Sequence, residues 1–93
     1  MFKVNEYFDG KVKSLSFNTA TGHATVGVMA PGEFEFGTST KEYMTIVSGE
    51  MQVMLPGEGS WNNYKPFETF IVPAGVRFLV KMNTETAYLC RYE

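Results

Sequence analysis

The chain has 93 residues, enough for one small domain spanning residues 1–93 that buries roughly 60–65% of its unfolded surface, so pairing with a second copy as a homodimer is expected to help stabilise it. Eight basic and ten acidic side chains leave a formal net charge of −2, which removes the case for nucleic acid or an anionic membrane as partner. The lone Cys90 builds no disulfide framework, and no apolar stretch reaches the length of a signal peptide or a bilayer span, so a reducing, cytoplasmic location is expected.

Turn signals recur at short intervals, beginning with Asp9-Gly10, Thr21-Gly22 and Pro31-Gly32 and ending with Lys65-Pro66 and Pro73-Ala74-Gly75. Between them the residues alternate apolar and polar at period two. In chain order, Val12–Phe17 and Ala24–Met29 are expected to form a hairpin across residues 19–23. Strands are then expected at Phe34–Phe36, Met44–Val47, Met51–Leu55, Thr69–Val72, Phe78–Met82 and Ala87–Tyr92. No helical period persists beyond about one turn. Many short strands and frequent turns imply an all-β sandwich or barrel.

Parity along each strand says which side chains share a face. Glu42, Met44 and Ile46 lie together, as do Phe34 and Phe36; Phe78, Val80 and Met82 oppose Arg77, Leu79 and Lys81. Glu42 is followed seven residues later by Gly49, and Pro73-Ala74-Gly75 stands two dozen residues beyond that. These two signatures resemble the paired motifs of a cupin, so the expected fold is a single-domain cupin (RmlC-like) jelly-roll barrel. Metal-binding cupins carry a His-x-His just before the Glu and a His three residues after the Gly. Here Gly37, Thr38, Ser39, Thr40 and Lys41 precede Glu42, and Phe78 stands at the last His position. In cupins the motif Glu and the residue at that last position point into the barrel, which would set Glu42 among Phe36, Met44 and Phe78. A carboxylate there needs a cation, a hydrogen-bonding ligand or water.

From NEYFDGKVKS through YMTIVSG to YLCRY, the chain resembles end to end the pyrimidine/purine nucleoside phosphorylases of the cupin superfamily, the small bacterial DUF1255 group. The resemblance implies phosphorolysis without metal or other cofactor. Purine and pyrimidine ribonucleosides would react with inorganic phosphate to give free base and pentose 1-phosphate, which makes the protein a pentosyltransferase. The alternative is a non-catalytic cupin that binds a small molecule. A metal-dependent oxygenase is a third reading, opposed by the missing histidines.

Phosphorolysis needs an anchor for the phosphate dianion, negative charge near the pentose ring and an apolar slot for the base. Arg91, in an otherwise apolar final strand, is the first phosphate candidate, with a structural ion pair as the alternative. Arg77, beside the Pro-Ala-Gly turn, is the second, although parity turns it away from Phe78. Glu42 suits the ribose hydroxyls and the anomeric carbon; otherwise it is a relic of a metal site. Thr38 and Ser39 offer hydroxyls to phosphate or sugar, or simply mark a loop. Phe36, Met44, Phe78 and Tyr88 form the base slot or plain core. His23 follows Thr21-Gly22 and reads as a solvated loop histidine.

Overall fold

A computed structural model describes residues 1–93. The ten strands are β1 (Lys3–Tyr7), β2 (Val12–Thr19), β3 (Gly22–Met29), β4 (Gly32–Gly37), β5 (Glu42–Ser48), β6 (Met51–Met54), β7 (Asn62–Tyr64), β8 (Thr69–Val72), β9 (Arg77–Met82) and β10 (Thr86–Tyr92). They form two antiparallel sheets, one of six strands in the order β1-β2-β3-β10-β5-β8 and one of four in the order β4-β9-β6-β7. The all-β expectation holds, and eight strands lie where turn signals and period two put them, with ends shifted by a residue or two. Two strands were not anticipated. KVNEY (β1) is too polar to show alternation, and NNY (β7) is a three-residue edge strand.

The inner faces of the sheets pack on one another, and buried positions alternate with less buried ones along the central strands. Val12, Met29, Met44 and Ile46 from the large sheet meet Phe34, Met51, Val53 and Val80 from the small one in a cluster of 14 buried residues. Gly49, at the β5–β6 turn, adopts φ +86°. A Cβ there would lie 2.7 Å from Thr86 Oγ1 and 2.9 Å from the Glu85 carbonyl, so both the backbone and the packing demand glycine. Gly75 has φ +72° with open space around it; only its backbone conformation matters.

Six strands face four, and that mismatch creates the site. On β1, β2 and β3 the inward positions away from the core change from apolar to polar. Asn5, Ser16 and His23 occupy them, half-buried or exposed. Asn5 Nδ2 donates to Ser14 Oγ at 3.2 Å and to Ser16 Oγ at 3.0 Å, satisfying groups that no opposing sheet covers.

Candidate functional site

Glu42 opens β5 on the inner face, paired in register with Val72 on one side and Tyr92 on the other. It stands at the mouth of a cavity of about 380 Å³, within the size range of small-molecule sites. Phe36 and Phe78 form one wall, their rings 6.0 Å apart. Met44, Tyr88 and Cys90 form the floor, and Ser39 reaches the rim. The sequence expectations for Phe36, Ser39, Glu42, Met44, Phe78 and Tyr88 therefore converge on one space.

The Cys90 thiol donates to Glu42 Oε1 at 3.4 Å. Burial raises the Glu42 pKa, and the thiol hydrogen bond opposes the rise. Cys90 itself is pushed up to about 12 by burial and by the neighbouring carboxylate, so it remains a protonated donor at neutral pH. Burial likewise pushes Tyr88 up to about 12, with the Ser14 hydroxyl acting the other way. Of the charged residues bordering the cavity, Glu42 is half-buried on the inner face, Glu35 lies exposed at the edge, and no cationic side chain lines it. Glu42 is thus a half-buried carboxylate with a weak neutral donor and no counter-charge.

Neither arginine lines the cavity, which corrects the expectation for Arg91 and agrees with the parity of Arg77. Arg91 does not share the cavity with Glu42. Parity on β10 turns Tyr88 and Cys90 inward and Arg91 outward, where its guanidinium lies 5.1 Å from the Tyr43 ring centre in a separate surface cleft. Arg77 also faces outward and pairs with Glu35 at 3.3 Å, both side chains being well exposed. Thr38 does not line the cavity either. Its hydroxyl donates to the Pro73 carbonyl at 2.7 Å and accepts from Val76 N–H at 3.1 Å. It clamps the Pro-Ala-Gly turn instead.

Sequence reasoning missed the lid. Tyr7, at the end of β1, and Phe8, in the turn that follows, line the cavity. Phe8 and Asp9 have φ of 54° and 56°, followed by Gly10 at 85°. A left-handed Phe is costly and is held by packing: its ring lies 5.0 Å from Phe34 and 5.5 Å from Phe36. Nothing in YFDG except the Asp-Gly pair signals this. His23 is solvated as expected but does not lie in a loop. Thr19 pairs with Gly22, so the hairpin loop is only Ala20-Thr21 and His23 belongs to β3, its ring 5.2 Å from Tyr92.

These features define a cupin barrel whose motif glutamate survives while the neighbouring imidazole ligands do not; no group of three or more His, Cys, Asp or Glu comes together anywhere in the chain. Similarity to the cupin domain of Cnp3 from Schizosaccharomyces pombe, with a TM-score of 0.69 at 18% identity over 98% of this chain and 69% of that one, shows the fold alone. The family model described as pyrimidine/purine nucleoside phosphorylase matches residues 2–92, and the chain belongs to that family. A pyrimidine/purine nucleoside phosphorylase of Cellvibrio japonicus is 59% identical over 93 residues, covering 100% of both chains. A crystal structure of a Vibrio parahaemolyticus protein of unknown function superposes with a TM-score of 0.96 at 44% identity, covering 100% of this chain and 99% of that one.

Proposed function

We propose that the chain is a metal-independent nucleoside phosphorylase, a pentosyltransferase that accepts both purine and pyrimidine ribonucleosides. The observation that carries the reading is Glu42: a carboxylate without a cation, set beside aromatic walls in a cavity of about 380 Å³. The base stacks against Phe36 and Phe78, contacts that every base offers through its π face, which suits broad specificity. The ribose hydroxyls bond to Glu42. A hydrogen phosphate oxygen bonds to the anomeric carbon as the carbon–nitrogen bond breaks. Its electron pair leaves on the base nitrogen, which takes up the phosphate's proton. Glu42 stabilises the positive charge that builds on the pentose between these events.

Metal independence is supported by the donor set, since Glu42 and Cys90 alone fall short of the three protein ligands a catalytic zinc uses. The homodimer is supported by the outer face of the six-stranded sheet, where Val4, Leu15 and Val28 are 61%, 41% and 50% exposed around a shallow apolar groove. Nucleoside and phosphate as substrates suit a cytoplasmic enzyme. The test is base release from uridine, inosine, adenosine and guanosine by chelator-treated protein, with and without phosphate. Release that needs phosphate and survives chelation is expected. A folded protein that releases no base from any of them would leave a binding cupin as the better reading.

A further inference from the structure

The cavity that receives the nucleoside contains no group able to hold a phosphate dianion. Its ionic side chains are both carboxylates, and neither arginine faces into it. Phosphate must therefore bind in a neighbouring space that opens onto the ribose. One such space exists. A groove of about 520 Å³ runs from the cavity mouth along the uncovered inner face of β1, β2 and β3, and it shares Tyr7, Ser39 and Tyr92 with the cavity. Its lining contains what the cavity lacks: the Lys3 ammonium, the His23 imidazole and the hydroxyls of Ser16, Thr25 and Thr40.

Part of this lining is already ordered. Asn5 Nδ2 bridges Ser14 and Ser16, and the Thr25 hydroxyl lies 3.1 Å from the Tyr92 hydroxyl. Tyr92 faces Glu42 in register and stacks on His23 on its other side. His23 and Glu42 therefore sit two strand spacings apart, about 10 Å. That gap matches one pentose, with the carboxylate at one end and the groove holding Lys3 and His23 at the other. A phosphate held at the groove end can approach the anomeric carbon from the side away from Glu42.

We infer that this groove is the phosphate subsite of the reaction proposed above, with Lys3 and His23 holding the anion and Ser16, Thr25 and Thr40 offering hydroxyl donors. The inference rests on the phosphorylase reading for its ligand but stands on its own geometry. Lys3 supplies full charge and His23 a directed N–H. Glu93 also lines the groove and is the one side chain there that repels an anion.

The test separates the two claims. Inorganic phosphate is titrated into isotopically labelled protein and followed by NMR, and phosphate-dependent base release is measured in parallel. Saturable shifts are expected at Lys3, Asn5, His23 and Thr25. Lys3→Gln and His23→Phe both alter exposed positions, and the second keeps a ring against Tyr92 while removing the N–H. Each should weaken phosphate binding and raise the phosphate KM about ten- to a hundredfold, with the nucleoside KM little changed. Glu93→Gln should tighten phosphate about twofold. If base release requires phosphate but the two variants keep the wild-type phosphate KM, or the shifts centre on Arg77 or Arg91, the subsite is wrong and the phosphorylase reading survives. If phosphate binds in the groove and no nucleoside is cleaved, the subsite stands and the phosphorylase reading falls. An absence of saturable shifts overturns the subsite whatever the activity.

Discussion

Replacing Glu42 by Gln keeps the shape of the side chain and removes its charge, so it separates the electrostatic role of this residue from its packing. A unit negative charge about 4 Å from a developing positive charge gives about 4 kcal/mol at an effective dielectric near 20. Only part of a charge develops on the pentose, and Glu42 is half-buried rather than enclosed, so about 2–3 kcal/mol is the expected share. That corresponds to a loss of about 30- to 150-fold in kcat. Stability should move the other way. Burial raises the Glu42 pKa, so between the ordinary carboxylate range and the raised value the folded state binds more protons than the unfolded one. Wild-type stability is then lost as pH rises through that window. Glu42→Gln lacks this slope, and its Tm should gain on wild type as pH rises above the ordinary carboxylate range. Base release measured by chromatography and thermal unfolding across that rise are the assays. A variant with wild-type kcat would refute the catalytic role. A variant less stable than wild type at neutral pH would refute the claim that the charge is uncompensated.

Gly27 lies beneath the Tyr88 phenol, and a Cβ there would fall 2.6 Å from the Lys13 carbonyl and 2.8 Å from the Tyr88 hydroxyl. Gly27→Ala should therefore cost about 1–3 kcal/mol in denaturant unfolding and raise the nucleoside KM by shifting Tyr88 into the cavity; unchanged stability would contradict the packing described. Val28→Glu, on the exposed apolar face of the large sheet, should convert a dimer to a monomer in sedimentation while leaving the fold intact by circular dichroism. A wild-type chain already monomeric at micromolar concentration would remove the dimer.

Most of the fold was legible because turn residues and period-two alternation mark strands that bury one face. β1 and β7 escaped for the complementary reason, since neither buries enough side chain to alternate. Parity grouped Glu42 with Met44 and Phe78 with Val80, and the cupin resemblance turned both groups toward one space, where the fold also sets Tyr88. The same parity excluded Arg91. Tyr88 and Cys90 point inward on β10, so a residue between Cys90 and Tyr92 must point outward, and the attraction of a guanidinium in an apolar strand obscured that. His23 was lost through an error of two residues in the hairpin loop, which moved it from strand to turn. The left-handed Phe8 has no sequence signal, because glycine or asparagine marks such positions and a bulky aromatic does not.

The absence of imidazoles beside the motif glutamate changes what that carboxylate is good for, and that yields a further prediction. In metal cupins the glutamate shares its charge with a cation; here Phe78 and residues 37–40 supply no ligand, the Lys41 ammonium lies 5.2 Å from the Tyr43 ring centre rather than at Glu42, and the carboxylate keeps its full field. Such a field favours a reaction in which positive charge appears beside it and penalises an anion brought close. For a phosphate dianion the repulsion is about 8 kcal/mol at 4 Å and about 3 kcal/mol at 10 Å, at an effective dielectric near 20. Separating the phosphate from Glu42 by two strands thus removes most of the conflict while the pentose lies between them. Some repulsion remains, reduced further by solvent at the open groove. Glu42→Gln should consequently lower the phosphate KM a few-fold in the same variant whose kcat falls, a combination that loss of folding or of nucleoside binding does not produce. Initial rates across phosphate concentrations at saturating nucleoside measure both constants. A phosphate KM that rises in this variant would mean that Glu42 helps to hold the anion, and would reverse the polarity assigned to the site.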